Sequence, residues 1–144
     1  MKTLFGVLIT SLLFSFSIQA QTIVGNWTLT WVLIEWDMAY SIIAPVTLTI
    51  DENGKIQGHG GCNSFSGNYA LKKPKASFKK PAKIKFSKII ATKLVCQPAS
   101  KTENVIFRSL NEATTVVLID GELLIENVKT GNTLRFVREV KPKT

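Results

Sequence analysis

Apolar and polar residues alternate along several stretches of the chain, as they do in β-strands with one buried face. The first stretch runs from Trp27 to Ile34 and is rich in β-branched and aromatic residues. We expect a strand whose apolar face consists of Trp27, Leu29, Trp31 and Leu33. Residues 35–44, which carry Trp36 and Tyr40, are predicted to follow as a loop or irregular crossover.

A β-hairpin is predicted next. Residues 46–50 alternate, residues 51–54 supply a turn with a glycine, and residues 55–58 return. The hairpin leads into the stretch from Gly58 to Tyr69, which contains four of the nine glycines, one of the two cysteines and the only histidine. Glycine is needed where the backbone takes positive φ or approaches another segment closely. We therefore expect this stretch to bend away from its partner at the far end of the strand.

The rest of the chain predicts further strands. Short segments at residues 68–71 and 83–86 have strand character, and in the second the side chains of Ile84 and Phe86 face inward together. The last third predicts an antiparallel meander of three strands at residues 115–119, 122–126 and 133–137. Both turns of the meander contain a glycine, as tight hairpins require.

One helix is predicted to begin at Ser100 or Thr102 and to end at about Ala113. Ser100 and Glu103 have the spacing of a capping box, in which each side chain binds the backbone N–H of the other residue. The apolar face of the helix consists of Ile106, Leu110 and Ala113. The predicted fold class is α+β and mainly β: a compact antiparallel sheet, strongly bent or barrel-like, with one helix (about 101–113) packed on it.

The composition predicts one folded domain that follows a targeting segment. The chain has 144 residues, of which 45% are hydrophobic and 19% are charged. A positive charge at Lys2, an apolar run over residues 4–18 and a small residue at its end are typical of a signal peptide. An uncleaved anchor is the alternative, although the run is shorter than the ~20 residues that span a membrane. Residue 21 is not the cysteine of a lipid attachment site. We expect residues 1–20 to be removed and residues 21–144 to form one exported domain, periplasmic or secreted, without a lipid anchor or membrane span.

The two cysteines, Cys62 and Cys96, are expected to form a disulfide in the oxidising compartment that export implies. Cys96 ends the apolar run of residues 89–96, which is predicted to be a strand or loop just before the helix. Free thiols and metal ligands are the alternatives to a disulfide. A thiol-redox activity of the two cysteines would require free or readily reducible thiols.

No catalytic, metal or cofactor site is predicted. His59 is the only imidazole that could activate a nucleophile, and the nearby Cys62 is expected to be in the disulfide. A metal site built from His59, Cys62 and Cys96 lacks a fourth ligand at a recognisable spacing. The ten carboxylates form no recognisable acid–base couple or calcium loop. The sequence therefore predicts a protein that is not an enzyme.

Positive charge is concentrated in the middle of the chain. The formal net charge is +8, and the interval between Glu52 and Glu103 holds eleven lysines and no Asp or Glu. A lysine-rich segment in this interval is a candidate site for an anionic polymer or lipid headgroups. Its lysines are Lys72, Lys73, Lys75, Lys79, Lys80, Lys83, Lys85 and Lys88. Export and the absence of arginine from the interval argue against nucleic acid. A solvated lysine face that prevents edge-to-edge aggregation is the alternative.

Two sequence motifs carry a resemblance. Residues 60–69, Gly-Gly-Cys-Asn-Ser-Phe-Ser-Gly-Asn-Tyr, and residues 91–96, Ala-Thr-Lys-Leu-Val-Cys, resemble the pattern of the META domain family, the HslJ-like proteins. The resemblance extends from about Val24 to Val137 and implies a mostly antiparallel β domain with one helix. It implies a structural role for the cysteines and for Gly60, Gly61, Asn63, Phe65, Gly67, Tyr69, Thr92 and Glu103.

The resemblance also implies a class of function. Similar proteins are exported or lipid-anchored envelope proteins tied to heat shock, antibiotic resistance or virulence-related motility and secretion, without an established enzymatic activity. We expect a monomeric, stress-related envelope or secreted protein that binds a protein or an acidic surface component. The long basic region over residues 72–88 and the missing lipid-anchor cysteine depart from the family pattern.

Overall fold

The computed structural model describes residues 22–72 and 80–139, which form nine strands and one helix. The elements are β1 (Gly25–Ile34), β2 (Met38–Ala39), β3 (Thr47–Ile50), β4 (Lys55–His59), β5 (Ser64–Lys72), β6 (Ala82–Ala91), α1 (Ala99–Glu112), β7 (Thr115–Ile119), β8 (Glu122–Asn127) and β9 (Asn132–Arg138). The predicted signal peptide at residues 1–20 and the lysines Lys73, Lys75 and Lys79 lie outside the described residues.

Eight of the strands form a closed antiparallel barrel. Each strand pairs with the next in the order β1-β3-β4-β5-β6-β7-β8-β9, and β1 pairs with β9 to close the barrel. The short β2 pairs with the last two residues of β1. In an eight-stranded barrel the interior is just wide enough for side chains to fill it. Alternating residues supply that filling, and Trp27, Val32, Val116, Leu123 and Leu134 are fully buried. The predicted fold class is confirmed.

The apolar face predicted for the first strand is only half right. Trp27 and Leu29 are buried, but the register shifts between Leu29 and Trp31, so Val32 is buried after the shift and Trp31 is not. Such a bulge adds one residue to a strand and reverses the alternation beyond it. Trp31 instead lies under the guanidinium of Arg135, with 5.2 Å between its ring centre and the guanidinium carbon.

The glycine-rich stretch does not bend away from the barrel, so that prediction is wrong. β4 ends at His59, residues 60–63 form a tight turn, and β5 begins at Ser64 and pairs with β4 along its length. The turn closes through a 2.8 Å hydrogen bond from the Gly60 N–H to the Asn63 carbonyl. Gly61 takes a φ of 104°, which only glycine adopts without strain. The hairpin before this stretch and the three-stranded meander are confirmed.

The helix is confirmed at residues 99–112, with Ile106 and Leu110 buried against the barrel. The capping box is wrong. The Ser100 hydroxyl accepts a hydrogen bond from the backbone N–H of Cys96, outside the helix, and the Glu103 side chain points inward. Buried N–H donors outside the helix therefore bind the Glu103 carboxylate in place of the local capping interaction.

Connections in an antiparallel barrel alternate between its two ends. The capped end, as we call it, contains the connections at residues 35–46, 60–63, 92–114 and 128–131. The longest of these, residues 92–114, includes α1, whose Thr102 hydroxyl donates a 3.4 Å hydrogen bond to the Ser41 carbonyl. The glycine-rich turn and the helix therefore lie at the same end of the barrel.

Candidate functional site

The carboxylate of Glu103 joins α1 to the turn at residues 60–63. Its Oε2 accepts hydrogen bonds from the backbone N–H groups of Cys62, at 3.0 Å, and Asn63, at 2.6 Å. Its Oε1 accepts a 2.6 Å hydrogen bond from the Asn63 side-chain amide. Only 3% of Glu103 is exposed. A buried carboxylate needs such donors to replace its lost hydration, and charge-assisted hydrogen bonds are stronger than neutral ones.

The side chain of Asn63 joins the same turn to the loop at residues 92–96. Its Oδ1 accepts hydrogen bonds from the Thr92 hydroxyl, at 2.8 Å, and the Leu94 N–H, at 2.7 Å. Its Nδ2 also donates to the Leu94 carbonyl at 3.1 Å. One buried amide therefore binds both backbone groups of Leu94, as a neighbouring strand would do.

A disulfide between Cys62 and Cys96 is the third link between the turn and this loop. The two Cα atoms are 5.7 Å apart, and the bridge closes a sequence separation of 34 residues. Neither cysteine is free. Thr92, Leu94 and Cys96 are thus each bound to the turn, and we call residues 92–96 the anchored loop.

The remaining motif residues support this arrangement. A Cβ on Gly60 would lie 2.7 Å from Glu103 Oε2 and 2.8 Å from the Phe107 ring, so only glycine leaves room for the carboxylate. The rings of Phe65 and Phe107 pack edge to face with their centres 5.3 Å apart. These contacts all lie inside the protein and hold the helix on the turn.

Gly67 and Tyr69 act further along β5. A Cβ on Gly67 would lie 3.0 Å from the Ile89 side chain, so glycine permits the close approach of β5 to β6 where their register shifts. The Tyr69 hydroxyl donates a hydrogen bond to the Asp51 carbonyl at the other end of the barrel. Burial raises the pKa of this hydroxyl above its ordinary value, and the Asp51 carboxylate raises it further. Tyr69 therefore remains a neutral hydrogen-bond donor at physiological pH.

His59 lies at the exposed end of β4. Its Nδ1 accepts a 3.2 Å hydrogen bond from the Gly61 N–H, and the Cys62 sulfur is in the disulfide, so the two do not form a nucleophile–base pair. Within residues 22–72 and 80–139, no group of three or more His, Cys, Asp or Glu side chains could hold a metal ion.

The described lysines of the basic segment lie on the outside of β5 and β6. Lys72 and Lys83 are cross-strand neighbours, and Lys85 follows on the same side of β6. Lys80 and Lys88 are also exposed. Like charges directly opposite each other destabilise a sheet. In the described part of the chain, the one ion pair joins Arg135 and Glu122, so no lysine of this cluster is paired with a carboxylate there.

The anchored loop exposes apolar side chains, which the sequence analysis missed. Leu94 is 64% exposed and Val95 is 81% exposed, and Ile90 near the end of β6 is 70% exposed. A cleft of about 520 Å³ separates this loop from Asn104 and Phe107 of α1. The apolar run of residues 89–96 was predicted to be a strand or loop without a prediction of its exposure, and its interruption by Lys93 was a local signal of an exposed loop.

The model of the META domain family matches residues 21–141, which include the turn, the anchored loop and the helix. The chain belongs to the META domain family. No curated protein matches it in sequence. The META barrel is similar to a crystal structure of a DUF4847 family protein from Bacteroides vulgatus ATCC 8482, with a TM-score of 0.56 and 12% identity over 81% of this chain and 94% of the other. At that identity the likeness concerns the fold alone.

Membership of the META domain family indicates a broad class of function. The family is of the envelope type and is not generally enzymatic. Among the described residues, no helix of the META domain has the length and apolar character needed to cross a membrane. The polar side chains of Asn63, Thr92 and Glu103 are hydrogen-bonded within the site, whereas the apolar side chains of the anchored loop face outward.

Proposed function

We propose that this META domain is an exported, HslJ-like, stress-related envelope protein that acts by binding a protein or surface component through the anchored loop. The observation that carries the proposal is the contrast within the motif. The polar groups of Glu103 and Asn63 form hydrogen bonds inside the protein. The hydrogen bonds of Asn63 also hold Leu94 in a position where its side chain is exposed.

A loop held in this way is suited to recognition. Ordering a loop on binding costs free energy, and a loop that is ordered beforehand avoids that cost. Leu94 is bound through both of its backbone groups, and Val95 lies between it and the disulfide at Cys96. The internal network thus supplies preorganisation, and the exposed apolar side chains supply contact area.

A photo-crosslinking amino acid at position 95 tests this proposal. In envelope fractions of the native host we expect a discrete cross-linked product that unlabelled wild-type protein competes away. The double variant Leu94→Ser/Val95→Ser is expected to compete at least tenfold more weakly, since it lacks the apolar contacts. Both residues are exposed, so the variant keeps its fold.

The matched control carries the same photo-crosslinker at Ile119, another exposed apolar residue, at the end of β7 remote from the capped end. It is expected to give no such product. Identical products from positions 95 and 119, or equal competition by the double variant, would show that the anchored loop is not the binding surface.

A second candidate function is favoured by the lysine cluster. Lys72, Lys83 and Lys85 repel one another and are not paired with a described carboxylate, an arrangement that an anionic polymer would stabilise. Replacing all three with glutamine is expected to weaken binding to heparin about tenfold at low salt and to flatten its salt dependence. The measurement is retention on immobilised heparin across a salt gradient.

The control for that experiment removes the same charge elsewhere. Lys55, Arg108 and Lys129 are exposed and lie outside the lysine cluster and the anchored loop, so their replacement by glutamine is expected to leave most of the retention intact. Equal losses in the two triple variants would mean that heparin detects only the net charge.

A further inference from the structure

Exposed apolar residues are concentrated at one end of the barrel. Of the eight large hydrophobic residues that are exposed in the described part of the chain, Ile119 alone lies at the opposite end. The other seven belong to the connections of the capped end or to the adjoining ends of β2 and β6: Trp36, Met38, Ile43, Ile90, Leu94, Val95 and Val128. Scattered single apolar residues are ordinary on a protein surface, but a concentration at one end indicates an interaction surface.

This exposure is built into the fold. The backbone N–H and carbonyl of Leu94 are both bound to Asn63, and the disulfide fixes Cys96, so the intervening Val95 cannot turn inward without breaking those links. On another connection of the same end, the Trp36 ring packs so closely on Gly131 that a Cβ there would overlap it. Two separate connections of the capped end therefore each hold an apolar side chain in an exposed position.

Positive charge flanks the anchored loop. Lys88, Lys93 and Lys101 are exposed on the segment that carries Ile90, Leu94 and Val95, and no Asp or Glu occurs on it before Glu103. Glu103 itself is buried, and its oxygens are occupied by the turn. Three exposed carboxylates belong to the connections of this end: Glu35 and Asp37 lie beside Trp36, and Glu112 lies at the last residue of α1, on the far side of Glu103 in the chain. The anchored loop is thus apolar at its tip and cationic at its margins.

We propose that the capped end docks on the surface of an anionic phospholipid bilayer, with Leu94 and Val95 inserted among the lipids and Lys88, Lys93 and Lys101 at the headgroups. This inference rests on the proposed function and names its surface component. Apolar side chains that insert beside cations that meet anionic headgroups are the features of interfacial membrane binding. A bilayer surface is flat, so side chains from several connections at one end of a barrel can contact it together. A groove that binds a peptide would instead have its apolar side chains along one edge of the barrel.

Co-sedimentation with vesicles of equal parts phosphatidylglycerol and phosphatidylcholine tests the inference on the mature protein. The wild type is expected to bind, and Leu94→Ser/Val95→Ser to bind about tenfold to a hundredfold more weakly, since the lipid no longer receives the apolar side chains. Lys93→Gln and Lys101→Gln are each expected to weaken binding about fivefold, and added salt to weaken it further. Ile119→Ser, at the opposite end, is expected to bind like the wild type.

Two results would overturn the inference. If the wild type does not sediment with these vesicles while the cross-link from position 95 persists in envelope fractions, the proposed function stands and its partner is a protein. If the wild type binds but the double serine variant binds equally well, adsorption occurs through another surface, and loss of binding in the Lys72, Lys83 and Lys85 triple variant would assign it to the lysine cluster.

Discussion

Replacing Glu103 with alanine is expected to lower the free energy of unfolding by about 3–5 kcal/mol, the largest effect of any side chain in the motif. The substitution leaves the N–H groups of Cys62 and Asn63 and the Asn63 amide without their acceptor. Each buried donor without a partner costs about 1–3 kcal/mol, with the smaller values where water replaces the acceptor. Urea unfolding followed by tryptophan fluorescence measures the change.

Two further variants serve as comparisons for Glu103→Ala. Glu103→Gln keeps the shape and one acceptor oxygen but places an amide donor against one of the three N–H groups, so we expect a smaller loss of about 1–3 kcal/mol. Glu112→Ala changes an exposed carboxylate of the same helix and is expected to alter stability by less than about 0.5 kcal/mol. A loss for Glu103→Ala no larger than that for Glu112→Ala would mean that the buried hydrogen bonds do not stabilise the turn.

Removing the disulfide is expected to have the second largest effect. With a sequence separation of 34 residues between Cys62 and Cys96, loop closure in the unfolded chain predicts that Cys62→Ala/Cys96→Ala is less stable by about 4 kcal/mol. Thermal unfolding of the oxidised wild type and of the variant measures the difference. Reduction of the wild type should reproduce most of it, because it removes the same constraint.

A double alanine variant that melts at the same temperature as the oxidised wild type would show that the disulfide does not stabilise the domain. The hydrogen bonds from Asn63 to Leu94 remain in the variant, so its anchored loop is expected to stay in place once the domain has folded. Vesicle binding by the variant, measured well below its melting temperature, should therefore stay close to that of the wild type.

Local sequence signals predicted most of the fold. Strands and hairpins were predictable because alternation and turn glycines act over a few residues, and the helix because Ile106 and Leu110 repeat at helical spacing. The outward position of Trp31 was not predictable, since it depends on a bulge in the pairing of β1 with β9. Register between strands distant in sequence has no local signal.

The sequence pointed to residues of the site but not to the contacts that they make. The resemblance identified Asn63 and Glu103, but the helical spacing of Ser100 and Glu103 indicated a local capping box. In the structure the Glu103 carboxylate instead accepts hydrogen bonds from the buried N–H groups of the turn. The exposure of Leu94 follows from that tertiary arrangement, because an apolar run by itself indicates burial.

The pairing of β1 with β9 also determines when this domain completes its folding. Thr28 on β1 meets Val137 on β9, so the barrel closes only when its first and last strands come together. Bringing together residues so far apart in sequence costs chain entropy, and contacts between distant residues make folding slow. While the chain is still emerging from a ribosome, β1 therefore lacks one neighbour, and the native barrel forms after synthesis of the whole domain.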